Sequence, residues 1–461
     1  MVDLPDDLMA ESRILSGWGR TKLVSTQVVK PKTVDQMQRL IRKAEPQSLI
    51  TRGLGRSYGD AAYLSDGVVV ELSTFNQVKL DTEAGLLTAG AGATFDQILS
   101  EIIPAGFFLP VTPGTRNVTV GGAIAADVHG KNHHIDGSFG NHVCHLLLLD
   151  GRGEIHELTP NGNGNPDDSE MFWATVGGMG LTGVILEAKF KLIPITTSLV
   201  RVDTTRFNNL DSLMAAMVDA DSKYRYSVAW VDSLDPNGRG ILTCGDHAQV
   251  KQLSVSKQVD PLLYDPKAIA ATPHFLRIRL LNQWTVRAFN EAWFHRAPKQ
   301  REGELQTFAQ FFHPLDAVKD WNLIYGPAGF LQYQFAVPDE AADLVPRTLE
   351  KFREIGAPSF LTVLKRFGPS NRAPLSFPMP GWTLAIDVPA SIPGLMELLD
   401  HLDEEVQLVG GRIYLAKDSR MKSAVFRKSY LDWNRYIMTR DKLDTRAIFS
   451  SEMSLRLFNY S

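Results

Sequence analysis

With 461 residues, 44% of them hydrophobic and 22% charged, the chain is globular and too long for one ordinary core, which excludes a disordered protein and predicts two domains. A formal net charge of -4 and a pI near 6.3 argue against nucleic acid as a partner. Two cysteines, Cys144 and Cys244, make no disulfide framework and imply a reducing compartment. The N-terminal M-V-D-L-P-D-D-L is acidic without an apolar core, so no secretory signal is read, and no apolar run approaches the roughly 20 residues that span a bilayer. A cytoplasmic protein that meets a membrane only at its surface is expected.

In chain order, residues 16–20 read as a turn, and Thr33 opens a helix with apolar spacing at Val34, Met37, Leu40 and Ile41. A short apolar run ending in Leu49-Ile50 leads into T-R-G-L-G-R-S-Y-G-D, residues 51–60. Three glycines among two arginines, a serine and a tyrosine suit a backbone nest for pyrophosphate, or equally an ordinary glycine turn with exposed arginines. Strands follow over 68–72 and 86–88, and Thr94 with Gln97 predicts a capping box for a helix through Ile98, Ile102 and Ile103.

The chain is organised around residues 113–145. Gly114, Gly121, Gly122, Ala123, Ala125 and Ala126 leave a nearly bare backbone that can approach a phosphate or a flat ring. Asp127, His129, Lys131, Asn132, His133, His134, Asp136, His142 and His145 then crowd titratable groups beside it, including five of the chain's eleven histidines. The apolar strand 146–149 follows, so a binding site at a strand edge is expected. A third glycine cluster lies in 172–185. Gly178, Gly180 and Gly183 fit G-x-G-x-x-G, but a helical pattern precedes them and a strand pattern follows, the reverse of the dinucleotide fingerprint. His129 and His133 stand four apart as zinc ligands do, yet Gly130 lies between them and no helical period supports a metal site. Gly137-Ser138-Phe139-Gly140 is one residue short of a nucleophile elbow.

Beyond about Pro194 the glycine loops stop and a second domain begins, with aromatic-rich strands at 224–230, 329–337 and 360–367. Gln332 and Gln334 share one face of their strand, as a sugar- or phosphate-gripping pair or as an exposed polar face. Lys365 lies between apolar residues, fitting a phosphate anchor or a surface lysine, and Trp382 and Asp387 fall on the next strand. Residues 273–301 interleave bulky apolar residues with five arginines and a lysine, either an amphipathic segment on an anionic membrane or lipid tail, or a core helix with a cationic outer face. Residues 410–420 are read as a short strand with Tyr414 and Lys417 on one side.

R-G-L-G-R-S-Y (52–58), T-A-G-A-G (88–92), P-G-T (113–115), V-G-G (120–122) and F-W-A-T-V-G-G (172–178) resemble the flavin domain of the vanillyl-alcohol-oxidase superfamily. H-G-K-N-H-H (129–134), G-S-F-G-N-H (137–142), H-P-L-D (313–316), Y-G-P-A-G-F-L-Q-Y-Q-F (325–335), P-L-S-F-P (374–378) and A-K-D-S-R (416–420) are more narrowly similar to the decaprenylphosphoryl-β-D-ribose 2′-oxidase family, the flavin half of an epimerase making the arabinose donor of cell-wall arabinan. The match runs in register from about Gly17 to the C-terminus.

That resemblance implies an α+β fold of PCMH type, with an FAD-binding domain over 1–195, a substrate domain on an antiparallel sheet over 196–409, and a segment 410–461 returning to the first domain. It assigns to FAD Arg52, Gly53, Leu54, Gly55, Arg56, Ser57, Tyr58, Gly114, Thr115, Thr119, Gly121, Gly122, Ala123, Ala125, His129, Asn132, Gly137, Ser138, Asn141, Val184 and Tyr414. It assigns catalysis to Lys417, His129 and Tyr58, and substrate contacts to Gln332, Gln334, Lys365, Lys131, Trp230, Phe312, Ala385 and Lys417. Many relatives bind FAD covalently through a histidine in G-H-S; this chain has Arg56 before Ser57, so noncovalent FAD is expected. Lys417 is the candidate general base, with orientation of a hydroxyl or phosphate as the rival role. No metal is implied. The implied partners are a polyprenyl-phosphate-linked ribose, an NADH-dependent ketoreductase and the inner-membrane surface, with the periplasmic side open. The alternatives are an oxidase of soluble sugars, polyols or aldonolactones, and a flavin-binding scaffold without chemistry. The pattern departs at Ala385, a cysteine in inhibitor-sensitive relatives, at Thr383, an asparagine there, and at Phe312, a tyrosine there.

Overall fold

The computed structural model describes residues 4–268, 270–272 and 281–458. Part of the basic aromatic segment, residues 273–280, lies outside the described residues.

Two sheets precede residue 192. In the first, the strands Ala10–Leu15, Val24–Val29, Val68–Glu71 and Leu49–Arg52 lie side by side in that order, the last three parallel. The helix Val34–Lys43 is capped by the Thr33 side chain and buries Met37, Leu40 and Ile41, as its 3.6-residue period predicts. The second sheet is antiparallel, ordered Val78–Asp81, Leu86–Gly90, Val184–Lys191, Val143–Leu149, Ile155–Leu158. Thr94 caps the helix Phe95–Ile102, but Gln97 donates to Asn76 O instead of reaching back to the cap, so half of the expected capping box forms. The helix Pro166–Thr175 comes before Gly177, Gly180 and Gly183, all at positive φ, and the strand Val184–Lys191 comes after them. That order removes the dinucleotide reading of this cluster.

The third sheet is antiparallel and eight-stranded, running Gln300–Thr307, Leu199–Phe207, Gly240–His247, Tyr226–Val231, Thr362–Phe367, Gly381–Pro389, Phe330–Val337, Arg412–Ile413. Tyr333 and Phe335 share a core with Phe352 and with Leu399 and Leu402 of the helix Leu395–Leu408. The two-residue period therefore turns Gln332 and Gln334 to the opposite face.

The chain's end crosses back to the first sheet. Phe449 bridges Leu49, and Ser450 N donates to Leu49 O at 2.8 Å. Cys144 and Cys244 are both free. No helix among the described residues is long and apolar enough to cross a membrane.

Candidate active site

The first glycine loop is shaped by its arginines. Arg52 donates from its guanidinium to Ala62 O at 2.9 Å and Ser16 O at 2.8 Å. Gly55 sits at φ 64°, where an added Cβ would stand 2.1 Å from Arg52 Nη2. Arg56 donates to Asn117 O at 3.2 Å and lies 3.9 Å over the Trp18 ring. Among the described residues the N–H groups of Leu54, Gly55, Arg56 and Ser57 find no protein acceptor, nor do those of Gly114 and Thr115. Consecutive free backbone donors beside two cations form an anion cradle, which fits the diphosphate of a dinucleotide. Gly53 lies against Thr119, whose side chain caps the short helix Val120–Ala125.

That helix uses its own donors. Val120 N and Gly121 N bond Ala93 O and Ala91 O at 2.9 Å each, and Gly122 N bonds Thr119 Oγ1 at 3.2 Å. Gly121 is needed for close packing on Ala91; Ala123 is buried and Ala125 O accepts from Met179 N. The H-P-L-D motif clamps the preceding loop. His313 Nε2 lies 2.9 Å from Thr112 Oγ1, Thr115 Oγ1 donates to Asp316 Oδ1 at 2.7 Å, and Arg116 N donates to Asp316 Oδ2 at 2.8 Å. Phe312 is buried among Phe108, Phe311 and Tyr226.

Asp127, wholly buried at φ 40°, joins two of the motifs. It accepts from Ser138 Oγ at 2.8 Å, Gly140 N at 3.0 Å, Asn371 Nδ2 at 2.7 Å and Ser376 Oγ at 2.6 Å. Gly137 is at φ 71°, Asn141 accepts from Ser138 N, and Val184 is buried beside Leu149. The work of G-S-F-G-N-H and P-L-S-F-P is to lock loops of the two domains around one carboxylate. Sequence reading misses this hub because a buried aspartate looks like any loop aspartate until its partners, 244 and 249 residues away, are folded onto it.

The chemistry-bearing groups converge from three stretches. His129 is buried between Phe367, Phe377 and Tyr414, at ring distances of 4.8, 5.6 and 5.1 Å, and its Nε2 lies 3.1 Å from Gln334 Nε2. Burial drives its pKa well below the usual value, with Lys365 adding to the effect, so the ring is neutral. Its Nδ1 is buried without a partner among the described residues. His133 accepts from Gly368 N at 3.1 Å, and Asn132 donates to Pro110 O at 2.7 Å and to Asp136 Oδ2 at 2.6 Å. Tyr414 N donates to Gln334 O and its hydroxyl to Ala126 O, both at 2.9 Å. The strand ends at Ile413, so Lys417 rides a turn instead of the expected strand, with its N–H on Tyr414 O at 2.9 Å. Its Nζ stands 3.6 Å over the Tyr58 ring.

Three half-buried lysines define the electrostatics. Burial lowers Lys131 to about 7, with Lys365 contributing, and lowers Lys365 itself to about 8. Lys417 is lowered by burial; Asp387 opposes this and Lys365 reinforces it. Lys131 Nζ donates to Phe311 O and lies 4.3 Å over the Phe311 ring. Asp387, fully buried, accepts from Gln332 and is pushed up by burial; its Oδ2 has no hydrogen-bond partner among the described residues. Ala385 pairs with Gln334 across the strands, and Trp230 spends its indole N–H on Phe360 O at 2.9 Å. Sequence places Asp387 on its strand without assigning it a role.

The turn bearing Lys417 is held against the glycine loop. Tyr58 N donates to Ala416 O at 2.8 Å, and Gly59 packs so closely on Asp418 that a Cβ would fall 1.7 Å from its carbonyl oxygen. Arg456, near the end of the chain, donates to both Asp60 oxygens at 2.9 and 3.0 Å, to Met421 O at 2.7 Å, and pairs with Asp418 at 2.9 Å.

An anion cradle at one end and a buried lysine beside a neutral histidine at the other fit an FAD-dependent oxidoreductase, and the family model for an FAD binding domain matches residues 25–159. The chain is 40% identical, over 96% of its length and 97% of the relative's, to the decaprenylphosphoryl-β-D-ribose oxidase of Mycolicibacterium smegmatis, and it belongs to that family. It is 34% identical over 79% of its length to an uncharacterized protein in the mprA 5′ region of Streptomyces coelicolor, covering 99% of that chain. An uncharacterized oxidoreductase, ORF5 of the fasciation locus of Rhodococcoides fascians, is 30% identical over 43% of this chain and 48% of its own.

Proposed function

We propose that this enzyme oxidises the ribose 2′-hydroxyl of decaprenylphosphoryl-β-D-ribose to the ketone, the first half of an epimerisation serving cell-wall arabinan synthesis. A separate NADH-dependent ketoreductase completes it, and the enzyme works at the membrane surface. The observation that carries the reading is the placement of Lys365 and Lys417 beside His129, with Lys131 beside Lys365 and Asp387 as the counter-charge acting on Lys417. Such a pocket suits a sugar joined to a phosphate: an anion offsets the mutual repulsion of the lysines, and Gln332 and Gln334 on the adjoining strand offer amides to hydroxyls.

When bound, FAD supplies the hydride acceptor. Lys417, lowered by burial and standing over Tyr58, takes the hydroxyl proton at its Nζ. Tyr58, whose own proton is held tightly by burial, forms the floor beneath the amine. His129, neutral and wedged by three aromatic rings, keeps Gln334 in register with Tyr414. Lys365 anchors phosphate, and its charge keeps Lys417 from holding a proton too firmly.

Anaerobic absorbance of the bound flavin is the test. Bleaching by a short-chain polyprenylphosphoryl ribose, with free ribose and polyols inert, is the expected result. Bleaching by the soluble sugars would make this a general carbohydrate oxidase. FAD is held noncovalently in this reading, because the cradle presents Arg56 and Ser57 where a linking histidine would stand. Acid precipitation should leave the yellow colour in the supernatant; colour retained in the pellet would refute it.

A further inference from the structure

A small apolar cluster stands apart from the two main cores. Trp321, Tyr325 and Phe330 are its buried members, and Tyr58, Trp18, Leu281, Ile324, Phe360 and Leu361 pack on it only half-buried. Its rings form a continuous file. Tyr58 meets Phe330 at 5.3 Å, Phe330 stacks on Tyr325 at 4.0 Å, Tyr325 on Phe360 at 5.9 Å, and Phe360 meets Phe289 at 5.7 Å. Phe289 stacks on Trp293 at 6.0 Å, with the planes 11° apart. The file starts under Lys417 and ends on the helix Gln283–Arg296.

That helix buries only Val286, Asn290 and Phe294, and leaves Trp284, Phe289 and Trp293 exposed to 81%, 45% and 43%. A surface helix in water turns its rings inward; this one presents them beside the exposed cations Arg287 and Arg296. The rings gain nothing from water, and their file is continuous with the site.

We propose that the half-buried rim of this cluster, with Phe330 and Tyr325 as its buried floor, seats the hydrocarbon tail of the substrate, leading it from the lysine pocket past Leu361 and Phe360 to Phe289 and Trp293. The proposal rests on the polyprenyl-phosphate reading. A tail of many isoprene units cannot stay in a pocket built for a sugar phosphate, so it must leave along apolar surface, and flat rings in series offer its double bonds and methyl groups dispersion contacts at little entropic cost. The chemistry itself does not use Phe360, Phe289 or Trp293.

The test compares KM and kcat for flavin reduction by polyprenylphosphoryl riboses of two and of ten isoprene units, in detergent, for the holoenzyme and for Phe289→Ser/Trp293→Ser. The double variant should raise KM for the long substrate roughly tenfold, about 1.4 kcal/mol, while KM for the short one and both kcat values hold. Co-sedimentation of the same proteins with anionic phospholipid vesicles is measured in parallel. Equal changes for the two chain lengths, or none, overturn the tail track. Loss of vesicle binding with an unchanged KM ratio also overturns it and makes the helix a bilayer contact. If neither chain length reduces the wild-type flavin, the functional reading fails first and the tail track falls with it.

Discussion

Lys417→Met is expected to keep FAD and lose flavin reduction by about 10²- to 10⁴-fold, the range a positioned proton acceptor contributes. Methionine keeps the apolar stem over the Tyr58 ring and removes only the amine, so flavin content and melting temperature should stay near wild type. The pH dependence separates a base from a lysine that merely orients the substrate. A base must be neutral to act, so reduction should rise with pH as Lys417 loses its proton. Asp387 favours the charged amine and Lys365 disfavours it. Asp387→Asn should therefore move the acidic limb to lower pH and Lys365→Met should move it to higher pH, each by up to about one unit. Lys365→Met should also raise KM, because the substrate phosphate is held by one cation fewer. Stopped-flow reduction of each variant across the pH range is the measurement. Shifts in the same direction, or a Lys417→Met enzyme reduced at the wild-type rate, would remove Lys417 from proton transfer.

Gly59→Val should cost about 3 kcal/mol or more of stability and strip the flavin site of its geometry. The first added carbon falls 1.7 Å from Asp418 O and 2.5 Å from its carbonyl carbon, both backbone atoms that no rotamer change can move. Gly17 is caught in the same knot, with an added Cβ 2.1 Å from Gly59 O. Gly114→Ala is the control. Nothing lies within 4 Å of a Cβ there, so the fold should tolerate it within roughly 0.5 kcal/mol. Urea unfolding of the two variants reads the contrast directly; equal stabilities would mean that the loop and the Lys417 turn are not packed as described.

The glycine loops are legible in the sequence because a tight backbone has few sequence solutions: R-G-L-G-R-S-Y marks a tight loop, and the local pattern leaves nest and ordinary turn equally open. The reversed order of helix and strand around Gly178, Gly180 and Gly183 is legible for the same reason, since helix and strand periods are local. The Lys417 turn is not. A two-residue strand followed by a turn carries no period, and the groups that fix the turn, Tyr58 and Gly59 among them, lie hundreds of positions away. Nor is the half-formed cap at Thr94, where Gln97 finds Asn76 a better partner than its own helix.

By itself the sequence determined the α+β class, the positions of the glycine loops, the alternation that turns Gln332 and Gln334 to one face, and the motifs that mark the family, because each depends on residues near one another in the chain. Only the tertiary structure decided what the charged groups experience. Asp127 becomes a clasp, Asp387 a counter-charge and Arg456 a staple through partners brought from distant segments, and Lys417 is pulled toward neutrality by burial that no local pattern records. Electrostatic energy depends on distance in space and on exclusion of water, and both are set only when the eight-stranded sheet and the chain's last helices close over the flavin loops.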